Sequence, residues 1–482
     1  MKSMRGRRWK TALAASCVRG DGVKAPEMLL GYLIGPFGAL LSSGIFTSML
    51  QTYFTDVLRL ELSFLTSLQL VSTVLIVAAN LTVGQLIERT HALSGKARPW
   101  ILLSALTLSV AGVLMFIVPF EGTARLIWIA LAYNLYYAVA YPIYNTANST
   151  LIALSTRDGA KRSTLASLTN MASLGVMGVG SMAFPMLASF VLHDDANRWF
   201  IAMLAVALFT ALTVFLQYRF TRERVTEELR ERQEKQSRGE HVSLGRQLRA
   251  AASEKSWWGV LGFYLVFQWA GAVKNGSMTY FCKWVMDNSL FGSADAWGAS
   301  QSLLAILGAI PMAVAAAFVV PLANRWGKRR LTLIGLMLGV AGGGIAGLGA
   351  GSMLPTAIGV AVKCLGSAPG CYLILAMLAD VIDRIEMRHG IRTDGLTMSI
   401  YSSLMVAATP VCNALFSALL GMSGYDQAAD AALGAAAQSG VVRQAITASY
   451  IWVETIGFAV GALLLATLYT AERRSAAEEL SA

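Results

Sequence analysis

Charge is what this sequence has least of. Asp, Glu, Lys and Arg make up 14% of its 482 residues, where an ordinary soluble domain carries about 25%. With 55% hydrophobic residues and a mean hydropathy of +0.56, the chain has too much apolar surface to cover in water, so a soluble globular protein is excluded. Cysteine is scarce too. Cys17, Cys282, Cys364, Cys371 and Cys412 are scattered without a CxxC pair, which leaves neither a disulfide framework nor a metal site, and they read as small packing residues. The four histidines, His91, His193, His241 and His389, all fall between apolar runs. His193-Asp194-Asp195 are chain neighbours in a loop and do not converge on one ion. No nucleophile–base constellation and no P-loop emerges, so we expect no enzyme, no metal and no cofactor.

What the sequence does have is apolar runs of membrane-spanning length. A bilayer core of about 30 Å takes roughly 20 apolar residues in a helix, and only helices suit runs of this kind in lipid. Twelve spans result: 28–54, 65–88, 99–120, 124–153, 165–192, 199–219, 256–286, 296–323, 329–350, 355–383, 396–421 and 446–470. The expected fold is an all-α membrane protein, twelve transmembrane helices in two pseudo-symmetric six-helix bundles. Residues 28–221 form the first bundle and 256–471 the second. A polar segment, 222–255, separates them, with alternating charges at helical spacing that suit a surface helix and linker. Residues 1–27 and 472–482 are basic and charged tails.

The net charge of +11 could suggest nucleic acid, but its distribution does not. Seven of the 39 Lys and Arg residues, Arg59, Arg125, Arg198, Lys274, Lys283, Lys363 and Arg443, lie on one side of the spans or within them. All the rest fall in the tails and in the loops after even-numbered spans. That asymmetry places both termini in the cytoplasm and the protein in the inner cell membrane; no nucleic-acid partner is implied. The N-terminal run MKSMRGRRWKTALAASCVRGDG has an apolar stretch that ends at Arg19, and reads as a basic tail rather than a cleaved signal or a lipid attachment at Cys17.

The two halves echo each other. Gly84–Arg89 and Gly95-Lys96-Ala97-Arg98-Pro99-Trp100 follow the second span; Pro321 to Arg330, with Arg325, Gly327 and Lys328, follows the eighth. Duplication of this sort is common in secondary transporters, with the solute near the midplane. Such loops either latch the cytoplasmic side, arginines reaching helix C-terminal carbonyls or a carboxylate such as Glu88, or simply anchor the spans by charge.

Four stretches carry a family resemblance: Gly35-Pro-Phe-Gly38 with Tyr53-Phe-Thr-Asp56; Gly95 to Trp100; Ala379-Asp380-Val-Ile-Asp383 with Glu386, Gly390, Arg392 and Gly395; and Gly421-Met-Ser-Gly-Tyr425. They resemble the glycoside–pentoside–hexuronide:cation symporters of the major facilitator superfamily, the melibiose-permease type. The resemblance covers nearly the whole chain and implies cation-coupled uptake of a sugar-like solute held between spans 1, 4, 7 and 10. The departures are specific. The family's paired carboxylates of the second span fall at Ile76 and Asn80, and its sugar-binding carboxylates at Leu40 and Asn145. Asp56, Glu61 and Glu88 stand only near span ends. A hard cation wants a carboxylate in low dielectric, and Asn80, Asn145 and Asn148 offer neutral oxygens, so protons are a better coupling ion here than sodium.

Charged residues inside spans face cavities or partners. Lys274, Lys363 and Glu454 are such residues. Two cations and one carboxylate suit an anionic solute; alternatively a lysine pairs with Glu454 or snorkels. Glu454 is also a candidate proton carrier. On the fourth span Asn134, Tyr137, Tyr141, Asn145 and Asn148 follow helical steps and either line a solute path or hydrogen-bond between helices. Gln268, Trp269 and Asn275 accompany Lys274 on the seventh, with Trp269 equally suited to lipid. Asp380, Asp383, Arg388 and Arg392, with Glu88, Arg89, Lys96, Arg98 and Arg325, form either a cytoplasmic gate or solvated helix ends. The resulting expectation is a monomeric secondary transporter of a small polar organic solute, a sugar, glycoside or sugar-derived anion, coupled to a cation. The rival readings are a carrier of an amphipathic or other organic anion, an uncoupled facilitator, and a non-transporting membrane sensor.

Overall fold

In a computed structural model, residues 16–18, 22–90, 92, 94–156, 159–193, 195–224, 244–292, 296–390, 393–429 and 431–469 are described. Among them every element is helical, and a lone bridge between Ala92 and Gly95 is the nearest approach to a strand. A helix covers each expected span: α1 (Glu27–Val57), α2 (Leu62–Glu88), α3 (Arg98–Leu114), α4 (122–155), α5 (159–192), α6 (Ala196–Arg219), α7 (Lys255–Trp284), α8 (Trp297–Trp326), α9 (Lys328–Leu348), α10 (Met353–His389), α11 (Asp394–Ser423) and α12 (Gly440–Leu468). Nine of these, among the described residues, are long and apolar enough to cross a bilayer. Their outward side chains fit that role. Leu106, Leu131, Ile201, Leu208 and Leu212 are all more than half exposed, a surface that water would penalise and hydrocarbon would not. Of the charged segment 222–255, a short helix over Leu244–Ser253 is described; residues 225–243 and both tails beyond 16 and 469 lie outside the described residues.

The chain gathers into two compact units. One takes residues 1–46, 71–184 and 194–239, the other 47–70, 185–193 and 240–482, so α1, α2 and α5 each contribute to both. The first unit is centred on aromatic rings. Phe46 packs on Phe116, Phe116 on Trp199 in a near-parallel stack 6.3 Å apart, and Phe184 meets Trp199 edge-on. Here the Gly35-Pro-Phe-Gly38 run has a direct physical reading. The helix opens at 34–36, because proline donates no backbone hydrogen bond and its ring crowds the preceding turn. The amide of Gly38 is then taken up by Thr213 Oγ1 at 3.0 Å, and Thr210 Oγ1 donates to the Gly38 carbonyl at 3.0 Å. A side chain at Gly38 would collide with the backbone of Thr210.

The second unit is built around Trp257, Val260, Phe263, Leu336, Leu373, Met377 and Phe458, all buried. Small residues let α9 and α10 approach closely: a Cβ at Gly335 would lie 2.5 Å from the carbonyl oxygen of Gly366, and one at Gly359 2.5 Å from the amide of Ala346. Van der Waals contact of this kind is the main force that joins helices where lipid surrounds them.

Candidate functional site

The polar side chains of α4 do not form one straight stripe. Residues Leu135–Ala140 are π-helical, and an extra residue in one turn rotates the remainder of the helix by about 100° relative to a regular count. Asn134 donates to its own helix at Ala130 O, 2.9 Å away. Tyr137 is half-buried against Tyr133 and Tyr136, and Tyr141 stacks 6.2 Å from Tyr136. Asn145 is exposed, while Asn148 is turned inward and accepts from Gln217 Nε2 at 2.6 Å. Tyr144 also donates to Gln217. Gln217 of α6, which the sequence reading did not single out, is therefore the hub of the inward part of α4.

On α2, Asn80 is half-buried and spends its amide on Ile76 O at 2.9 Å; Ile76 itself is buried. On α7, α10 and α12 the three intramembrane charges meet. Lys363 Nζ lies 2.6 Å from Glu454 Oε2 and Lys274 Nζ 3.8 Å from Glu454 Oε1. Lys363 also donates to Ile451 O. The lysine side chains differ in access: Lys363 is 4% exposed and Lys274 20%. Gln268 and Trp269 are half-buried and Asn275 is exposed on the same helix as Lys274. The carbonyl of Trp269 accepts from the Cys412 thiol.

The two echoing loops produce two equivalent clamps. In the first unit, Glu223 lies just past α6 and its carboxylate accepts from the backbone amides of Lys96, Ala97 and Arg98, each at 2.8 Å. Gly95 has φ +123°, and a Cβ there would lie 2.5 Å from the Glu223 carboxyl carbon, which accounts for glycine at the head of that loop. A carboxylate at the N-terminus of α3 also meets the positive end of its dipole. Arg98, 4% exposed, donates to Tyr218 O in the last turn of α6 at 3.0 Å and lies over the Tyr218 ring. In the second unit, Arg329, in the first turn of α9, donates to Leu465 O and Ala466 O in the last turn of α12. Each arginine thus caps the C-terminal carbonyls of the last helix of its half. Lys96 is half-buried, Arg89 and Arg325 are exposed, and the Glu88 side chain and Arg392 lie outside what is described.

Other charged residues of the expected gate pair within the second unit. Lys328 Nζ reaches both oxygens of Asp380 at 2.7 Å, and Tyr469 donates to the same carboxylate. Arg388 and Arg384 both meet Glu254, at 2.7 and 3.4 Å. Asp383 is exposed.

A further cluster in the second unit escaped the sequence reading. Lys283 of α7 donates to Asp56 Oδ2 at 2.7 Å, both side chains being at most 7% exposed. Thr55 and Tyr425 donate to Asp56 Oδ1, and the Tyr280 hydroxyl lies 2.7 Å from Thr55 Oγ1. Burial and the Asp56 charge push the Tyr425 phenol well above its ordinary value, so it stays protonated and donates. Lys283 also sits 4.9 Å from the Trp284 ring centre. The sequence carried two signals for it: Asp56 ends the Tyr53-Phe-Thr-Asp56 run, and Lys283 is among the seven cations that break the charge asymmetry.

With these helices and clamps in view, the comparison with known proteins is decisive. The family described as MFS/sugar transport protein matches residues 31–472. The chain belongs to that family. The transporter is 28% identical to an isoprimeverose transporter of Lactiplantibacillus pentosus, with 90% of this chain and 86% of that one aligned. It is 22% identical to a glucuronide carrier protein homolog of Escherichia coli over 82% and 84%. Among solved structures, a peptide transporter of the POT type bound to alafosfalin matches with a TM-score of 0.64 at 14% identity, covering 96% of this chain and 99% of that one; this last likeness concerns the fold. The transporter is thus a multi-pass protein of a cell membrane, with the major facilitator architecture, and it moves solute rather than catalysing a reaction. The resemblance to the glycoside–pentoside–hexuronide symporters read from the four motifs agrees with the family and with these relatives.

Proposed function

We propose that this transporter carries a sugar, glycoside or sugar-derived anion across the cytoplasmic membrane by alternating access, coupled to protons rather than sodium, as a monomer with both termini in the cytoplasm. The observation that carries this reading is the surface of α4. Half-buried Tyr137 and Tyr141 and exposed Asn145 present hydroxyl and amide groups where a lipid-facing helix would present leucine. Such groups hydrogen-bond sugar hydroxyls, and tyrosine rings stack on sugar faces. The names of the relatives, an isoprimeverose transporter and a glucuronide carrier homolog, support the same solute class. Preference for protons rests on Ile76 and Asn80: one is apolar and the other a neutral amide that donates to its own helix, so neither position offers a carboxylate for a hard cation.

Uptake and counterflow in proteoliposomes test the proposal. Labelled glycosides and uronides should exchange across the membrane, and net uptake should rise with an inward proton gradient but not with a sodium gradient. Absence of counterflow for every sugar-class solute would remove the reading; uptake driven by sodium alone would remove its coupling.

A further inference from the structure

We infer that Lys274 is an anion-binding residue, and that the solute of this transporter bears a carboxylate, sulfonate or phosphate group that Lys274 receives. The inference deepens the proposed function, since it names the substrate class within it.

Three ionised side chains meet inside α7, α10 and α12, and they do not balance. Glu454 is one carboxylate; Lys274 and Lys363 are two ammonium groups. Among the described residues no second carboxylate pairs with either lysine, and the other titratable neighbours of Lys274 are the thiols Cys364 and Cys371, which carry no charge at neutral pH. A net positive charge within a membrane span is costly unless it is paired or faces water. The geometry also shows which lysine carries the surplus. Lys363 is buried, makes the short 2.6 Å contact and donates to Ile451 O besides. It is the structural partner of Glu454. Lys274 stands 3.8 Å away and is five times more exposed, so its ammonium has donor capacity to spare.

The face of α7 around Lys274 is suited to a ligand. Gly271 lies on the same face of α7 as Lys274, one turn before it, with half-buried Gln268 and exposed Asn275 flanking that face. A Cβ built at Gly271, one turn before Lys274, meets nothing within 4 Å. Open space on that face, flanked by the amides of Gln268 and Asn275, and an ammonium that shares its one carboxylate with Lys363 make a site that suits a polar anion. Glu454 keeps Lys274 from being an unpaired charge when no solute is bound, and Lys363 keeps Glu454 from closing fully on Lys274.

The test uses the full chain in proteoliposomes and in detergent, with methyl glucoside and methyl galactoside as neutral probes, and the matched glucuronide, galacturonide and 6-sulfonated glucoside as anionic ones. Wild type is expected to take up at least one anionic probe at least tenfold faster than its neutral counterpart. Lys274→Gln should remove that preference while the protein stays monodisperse, and Lys274→Arg should keep part of it. Unaltered anionic uptake by Lys274→Gln at equal expression, or a wild-type preference for neutral sugars, overturns the inference while leaving sugar transport intact. If wild type moves none of the probes, the proposed function fails, and the site is then judged by thermal shift of the purified protein. Stabilisation by an anionic probe that Lys274→Gln abolishes upholds it, and no shift with any of them overturns it.

Discussion

Consider removing one partner from the buried pair of Asp56 and Lys283. At 2.7 Å, and with an effective dielectric of about 20, the attraction is about 6 kcal/mol. Taking two ions out of water costs several kcal/mol each, so the pair as a whole sits near balance against a neutral substitute. Removing one member is different, because it leaves the other charge buried with no counter-ion. For Asp56→Asn the stranded group is Lys283, left with the ring faces of Trp284 and Trp297, 4.9 and 6.0 Å from its ammonium. For Lys283→Met it is Asp56, left with hydroxyl donors from Thr55 and Tyr425. Each single change should cost about 3–5 kcal/mol. The double variant removes both charges and should cost less than either single one, which makes the coupling energy at least about 3 kcal/mol. Reversible unfolding in mixed micelles, run on wild type, the two single variants and the double variant, reads this directly. Additive losses, with the double variant as destabilised as the two singles together, would refute the reasoning and mean that the pair is screened.

Three further expectations concern the clamps and the contact of α1 with α6. Gly95→Ala forces a side chain into the Glu223 carboxylate and into a positive-φ position, and should cost about 2–3 kcal/mol, read as a lowered unfolding midpoint in detergent; Gly122→Ala, a positive-φ glycine with open space around it, should cost about 1 kcal/mol. Arg98→Lys and Arg329→Lys should each lose about 1–3 kcal/mol in the same assay, since a lysine cannot reproduce the forked donors that hold the carbonyls of Tyr218 and of Leu465 and Ala466. Gly38→Ala should reduce the yield of monodisperse protein sharply, because its methyl group meets the Thr210 backbone; a normal yield would show that α1 and α6 are free to separate there.

Much of the fold was legible because its cause is local. Whether a run of twenty residues is apolar can be read without knowing what surrounds it, and each of the twelve expected spans carries a helix. Where the sequence misleads, the cause is a backbone feature that composition does not encode. A regular count of 3.6 residues per turn puts Asn134 to Asn148 on one stripe, whereas the π-helical turn over Leu135–Ala140 rotates Asn134 away from Tyr141, Asn145 and Asn148. No residue in that turn is a glycine or an internal proline that would have announced it.

The site was legible to a different degree, and the difference comes from what a partner is. Lys274, Lys363 and Glu454 could be listed from hydropathy alone, since a charge inside an apolar run is visible in one dimension, and their meeting was one of the few ways to satisfy them. Among the seven cations that break the charge asymmetry, Lys274 and Lys363 share Glu454, Lys283 takes Asp56, and Arg198 takes Asp195. An exception to a topology rule was thus a pointer to an ion pair, and following it for Lys283 would have found the Asp56 cluster. Glu223 and Arg329 had no such mark. Each is one acid or base among many in a charged stretch, and its role comes from carbonyls or amides that a distant helix end supplies. Backbone groups are present at every position and leave no trace in a sequence, so a side chain whose partners are backbone atoms is identified only when the helices that bring those atoms to it are in place.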